Sequence, residues 1–205
     1  MYNPYGFKIN PKFKHFDFSR DYLPIVVKDT LDKTNLNILE VGVEYGGYLD
    51  IYYPQFEEVT EKFYLVDLWQ TEGNDDHFTK FDGQVEKGYA RVKQLYGKNP
   101  KIKMCKGSST NKSKDFDDEF FDYIYIDADH TKEAVLEDLN AWYPKVKKGG
   151  IIAGHDTYCD PQNVSYEFFD VEGALEEFFS EEQQEQIYLT NEYAYKTWVY
   201  IKSEE

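Results

Sequence analysis

The sequence predicts an α/β protein, a doubly wound and mainly parallel sheet closed by an antiparallel C-terminal hairpin. Three observations carry that prediction. Short apolar runs, each ending in an acidic or small residue, recur along the chain. Helix-length segments separate them, as the crossovers of a parallel sheet require. The last stretch, residues 185–202, reads as two strands about a turn with no helix between them. The chain has 205 residues, enough for one domain, 1–205, and its 41% hydrophobic and 18% aromatic content supplies a core despite a formal charge of -16.

Taken in order, residues 1–35 make an N-terminal loop and helix, and 36–205 the sheet. Residues 1–17 show no period, whereas Phe18 to Lys33 carries Tyr22, Ile25, Val26 and Leu31 at helical spacing behind Ser19, a potential N-cap. Five strands follow at 37–43, 63–69, 101–107, 121–130 and 149–156. Helices are expected at Gly46 to Gln55, Phe78 to Tyr96, Lys132 to Val146 and Glu167 to Phe179. With the hairpin, the sheet has seven strands.

Composition also narrows the partners. Asp and Glu number 39 against 23 Lys and Arg, which argues against nucleic acid and anionic membrane, since both are bound through clustered cations. Cys105 and Cys159 are too few for a disulfide framework or a zinc cluster and read as free thiols of a reducing, cytoplasmic compartment. No run is long enough for a membrane helix, and the N-terminus lacks the apolar stretch of a signal peptide.

Ligands of an open α/β sheet bind beyond the carboxyl ends of its strands, and those ends are polar here. The first strand leads into Glu40, Gly42, Glu44, Tyr45 and Gly46, a loop that suits close backbone approach and a helix N-terminus, or serves only as a structural turn. Glu44 is a poor neighbour for a pyrophosphate, while Glu40 suits a ligand carrying an ammonium group. Asp67 ends the second strand, as a ribose-binding carboxylate or as a surface acid. Ser108 and Ser109 follow the third, Asp127, Asp129 and His130 the fourth, and His155 and Asp156 the fifth. His130 could cap the next helix and His155 could bond a loop carbonyl. Asp127, after the apolar run Tyr123 to Ile126, sits where burial is costly without a cationic partner. Trp69 and Tyr158 are the aromatic candidates for stacking on adenine or a sugar ring.

This constellation resembles the class I S-adenosylmethionine-dependent methyltransferases over about Asn37 to Ile201, which implies a Rossmann-like fold. The resemblance implies that Glu40, Gly42, Glu44, Tyr45 and Gly46 hold the methionine part of S-adenosylmethionine, Asp67 the ribose, and Ser108 and Ser109 the adenine. The segment Ile126 to Asp156 is similar to the metal-dependent sugar O-methyltransferases of the macrocin type. That likeness implies a divalent cation, Mg²⁺ or Mn²⁺, on Asp127, His155 and Asp156, with Asp127 also beside the cofactor and His130 as general base. A carboxylate is more usual than His155, which could instead serve as an acid/base group.

The implied acceptor is a small molecule or glycan, such as a deoxyhexose like rhamnose. The chain would then be a domain of a larger glycan-building protein, or form a homo-oligomer. Rival readings are a catechol or phenol O-methyltransferase, a nicotinamide-dependent oxidoreductase, opposed by the missing G-x-G-x-x-G spacing, and a non-catalytic interaction domain.

Overall fold

The structure is a computed structural model, described here for residues 11–69, 84–157, 169–192 and 195–204. His77, Tyr158, Cys159, Tyr166, Phe168 and the loops 70–77 and 158–165 lie outside the described residues. The strands are β1 (Lys14–His15), β2 (Leu36–Val41), β3 (Thr60–Asp67), β4 (Ile102–Lys106), β5 (Phe121–Ile126), β6 (Val146–Thr157), β7 (Tyr188–Leu189) and β8 (Lys196–Ile201). The helices are α1 (Leu23–Leu31), α2 (Gly47–Phe56), α3 (Gln84–Tyr96), α4 (Ser109–Lys112), α5 (Lys132–Trp142), α6 (Val171–Phe178) and α7 (Glu181–Gln184).

The sheet runs β1-β7-β8-β6-β5-β2-β3-β4. Strands β2 to β6 pair in parallel, and β8 is antiparallel to both β6 and β7. Parallel strands covered on both faces need apolar side chains on both, and every residue of β5 is buried. One face packs Val135, Leu139 and Trp142 of α5 and Leu175 of α6 against Leu39, Val41 and Ile124. The other packs Leu23 and Val27 of α1 and Leu49, Tyr52 and Phe56 of α2 against Ile38, Leu65 and Tyr123. β2 lies between β3 and β5, so the connections leave it in opposite directions and open a crevice at its carboxyl end.

Two expectations are corrected. Among the described residues the sheet has eight strands, because Lys14–His15 adds an edge strand parallel to β7, with Lys14 N donating to Ile187 O and Phe16 N to Leu189 O, both at 2.8 Å. Two exposed residues carry no readable period. The leading helix is shorter than Phe18 to Lys33: Arg20–Tyr22 forms a 3-10 turn, and Ser19 makes no side-chain cap bond to it. Pro24, whose fixed φ suits a first helical turn, stands at the start of α1, and Asp32 ends it in the left-handed region with φ 42°.

Candidate active site

The crevice begins at Gly42, which turns the chain after β2 with φ +83°. A Cβ there would lie 2.0 Å from the carbonyl oxygen of Asp127, and Asp127 N donates to Val41 O at 2.7 Å. Only glycine permits both the torsion and that approach. Asp67 then anchors the loop: its Oδ2 accepts from Val43 N and Glu44 N at 2.8 Å each, and its Oδ1 from Trp69 N at 2.6 Å. Those three bonds use most of the roughly four acceptor positions a carboxylate has. Buried Trp69 donates from Nε1 to Glu44 O at 3.0 Å, and Arg91 of α3 donates to Tyr45 O at 2.6 Å. Gly46, at φ +77°, is the residue before α2.

Glu40 lies nearby, 2% exposed, and its Oε2 has no hydrogen-bond partner among the described residues. Burial holds its carboxyl well above the usual range, and the neighbouring carboxylates of Asp127, Asp67 and Asp50 raise it further.

Across the crevice, β5 delivers Asp127 and β6 delivers His155 and Asp156. Opposite these last two, β6 breaks register. Gly154 pairs with Trp198 and Thr157 with Lys196, so His155 and Asp156 together face Thr197 alone. Asp156 adopts φ 58°. This two-against-one bulge re-aims side chains that regular pleating would send to opposite faces.

The resulting cluster is tight. His130 Nε2 lies 3.0 Å from Asp156 Oδ2 and 3.9 Å from Asp127 Oδ1. His155 Nδ1 lies 3.1 Å from Asp156 Oδ1 and 3.9 Å from Asp127 Oδ1. Arg20 Nη1 lies 2.8 Å from His155 Nε2. Ligand atoms of Asp127, His130 and Asp156 all fall within 4.8 Å of one another, a spread that one cation could bridge. Burial pushes the Asp127 carboxyl up to about 6, with His155 opposing and Asp156 adding to the rise. Burial also holds the His130 imidazole below its ordinary 6.5, against the pull of Asp156 and Asp129 and with help from His155.

Thr131 caps α5, accepting from Ala134 N at 3.4 Å, while Asp129 accepts from Thr131 N at 2.8 Å. The His130 ring is left to the carboxylates and to Phe169, whose ring centroid is 4.5 Å away. Among the expected cation ligands, Asp127 and Asp156 converge with His130, whereas both nitrogens of His155 face other protein groups. The Ser109 hydroxyl is committed to Asp138 and to Trp142 Nε1, and Ser108 sits just before α4.

Residues 39–157 match a protein family described as a methyltransferase domain. The chain belongs to that family. No curated protein matches it in sequence. Among solved structures, the chain is similar to the N-methyltransferase NodS from Bradyrhizobium japonicum, at 11% identity over 90% of this chain and 95% of that one, with a TM-score of 0.59. It is also similar to the CurJ carbon methyltransferase, at 11% identity over 90% and 54% with a TM-score of 0.61. A third likeness is to the methyltransferase CalH in complex with SAH, at 10% over 88% and 55% with a TM-score of 0.58. The chain thus spans little more than half the length of CurJ and CalH. At these identities the likeness is one of fold.

Arg20 lies outside the family match and was not among the residues expected at the site. Its contact with His155 spans 135 positions, and no local pattern marks it. The bulge was equally hidden, although a polar His-Asp pair within an apolar strand was its one sequence trace. Among the described residues, no helix is long and apolar enough to cross a membrane.

Proposed function

We propose that the chain is an S-adenosylmethionine-dependent, divalent-metal-dependent O-methyltransferase whose acceptor is a sugar hydroxyl, such as that of a deoxyhexose in a glycan. The observation that carries this reading is the convergence of Asp127, Asp156 and His130 beside the glycine loop of a methyltransferase fold. Two features suit the cofactor: an orphaned, buried carboxyl oxygen on Glu40, fit to meet an ammonium group, and the Gly42 cradle that a Cβ would fill. Asp67 keeps an acceptor position for a ribose hydroxyl. S-adenosylmethionine, when bound, supplies a methyl group on a sulfonium.

The two carboxylates suit Mg²⁺ or Mn²⁺, and such a cation, when bound, lowers the pKa of a coordinated hydroxyl. Asp127 and Asp156 would hold it. The acceptor hydroxyl would give up its proton there. His130 would take that proton, its ring held with Nε2 facing both carboxylates. Its lowered pKa keeps it neutral, and so able to accept, near pH 7. Phe169, against the imidazole, holds the ring in place and excludes water from one side of it.

The test is an acceptor panel of deoxyhexose glycosides and catechols incubated with S-adenosylmethionine and Mn²⁺, with products read by mass spectrometry. A glycoside gaining one methylene supports the reading, and methyl transfer to catechols alone overturns the acceptor class.

A further inference from the structure

Arg20 belongs to the N-terminal strap, which is not covered by the family match, yet its guanidinium reaches the centre of the site. The backbone on either side of that side chain is clamped. Arg20 N donates to Glu192 Oε1, and Arg20 O accepts from Tyr52 OH at 2.5 Å. Asn191 ties down the preceding turn, its N donating to Phe18 O at 3.0 Å and its Nδ2 to Asp17 O at 2.8 Å. β1 is paired to β7. The side chain lies over the Tyr48 ring, 5.3 Å from its centroid, and ends 2.8 Å from His155 Nε2. A residue so held is placed by the fold.

A guanidinium can only donate, so His155 Nε2 must carry the lone pair and Nδ1 the proton. Nδ1 faces Asp156 Oδ1 at 3.1 Å. The other oxygen of the same carboxylate, Oδ2, is the one 3.0 Å from His130. Asp156 also sits on the bulge at φ 58°, a conformation that a non-glycine residue keeps only when its surroundings hold it. The sequence Arg20, His155, Asp156, His130 is thus a continuous polar line from the strap through β6 to the loop after β5.

We propose that Arg20 is a positioning residue: it fixes His155 as the Nδ1–H tautomer, and His155 in turn fixes the rotamer of Asp156, so that Oδ2 is presented to His130 and Asp127. His155 then acts through Asp156 and does not itself meet a cation. This rests on the proposed metal-dependent reading. The ring holds the neighbouring acid in place of supplying a ligand of its own.

Two measurements test it. Proton–nitrogen correlation spectra of the metal-free wild-type protein should give the Nδ1–H tautomer for His155, and the Nε2–H tautomer would overturn the proposal without any variant being made. The second is a double-mutant cycle on Mn²⁺ affinity and kcat. Arg20→Met is expected to weaken Mn²⁺ binding about 10-fold, with S-adenosylhomocysteine affinity within about twofold of wild type. His155→Asn keeps an N–H donor toward Asp156 without needing Arg20, so Arg20→Met should cost nothing further in that background. Equal losses in both backgrounds, or no loss in either, would contradict the proposal. If the wild type binds no Mn²⁺, the metal reading fails by itself, and the same non-additivity in kcat together with the tautomer decides the role of Arg20.

Discussion

In the proposed reaction His130 is the general base. Its Nε2 reaches both Asp127 and Asp156, and Thr131, not His130, performs the helix-capping task that was its alternative. His130→Ala is expected to lower kcat by about 100-fold or more, with S-adenosylhomocysteine affinity unchanged by calorimetry; a fall in cofactor affinity of the same size would assign the residue to binding. The pH dependence has a definite sign. For a general base the neutral imidazole would be the competent form, and burial holds its pKa below 6.5, so kcat/KM should be level near neutrality and fall as pH drops through a value under 6.5. Gly42→Ala gives a second prediction at this scale. The added Cβ would meet Asp127 O at 2.0 Å at a positive φ, so the variant should lose stability by about 2 kcal/mol or more, read as a lower denaturation midpoint.

Single residues also divide what was legible in the sequence. Glu40, Asp67, Asp127 and Asp156 stood out because acids that end apolar runs are costly there unless used. Ser109 stood out by position alone, and its hydroxyl faces α5 instead. Trp69 looked like a stacking platform but is buried beneath the loop it supports.

At the level of elements, β2 and β5 were readable because they are buried almost throughout and so spelled as continuous apolar runs. What stayed hidden depends on distant partners: β1 exists only through β7, and the bulge in β6 only through its register with β8. Asp122 of β5 tests how the amino end of the sheet is held. Its side chain is 2% exposed and pairs with Lys33 at 2.7 Å and Lys147 at 2.9 Å, and it accepts from Asn37 N at 2.8 Å. Burial raises its pKa, but Lys33, the Asn37 N–H and Lys147 together outweigh it and hold the carboxyl below its ordinary 3.8. A depressed folded pKa means stability that is present above the unfolded value and lost as pH falls through the folded one. Asp122→Asn should therefore cost about 2 kcal/mol at pH 7 in denaturant titrations, and the difference from wild type should shrink below pH 3.8. A constant difference across that range would contradict the ion-pair account.

Across the whole molecule, the charge of -16 resolves into two populations. Glu40, Asp67, Asp127 and Asp156 line one crevice, where a sulfonium cofactor and a cation would meet them. Others, such as Glu177 and Glu181, lie outside it and pair with lysines on the surface. The crevice sits where the sheet order reverses between β3 and β5 about β2, so the fold itself sets the glycine loop beside the acid cluster, and the N-terminal strap adds Arg20 from the far side.

The most direct measurement of the central claim is methyl transfer to a deoxyhexose glycoside, followed by mass spectrometry after exhaustive dialysis against EDTA and again after Mn²⁺ or Mg²⁺ is restored. No methylated glycoside is expected in the chelated sample, and the product, one methylene heavier and methylated on oxygen, should return once the cation is restored. Full turnover in EDTA, or a methyl group found on nitrogen or carbon, would contradict it.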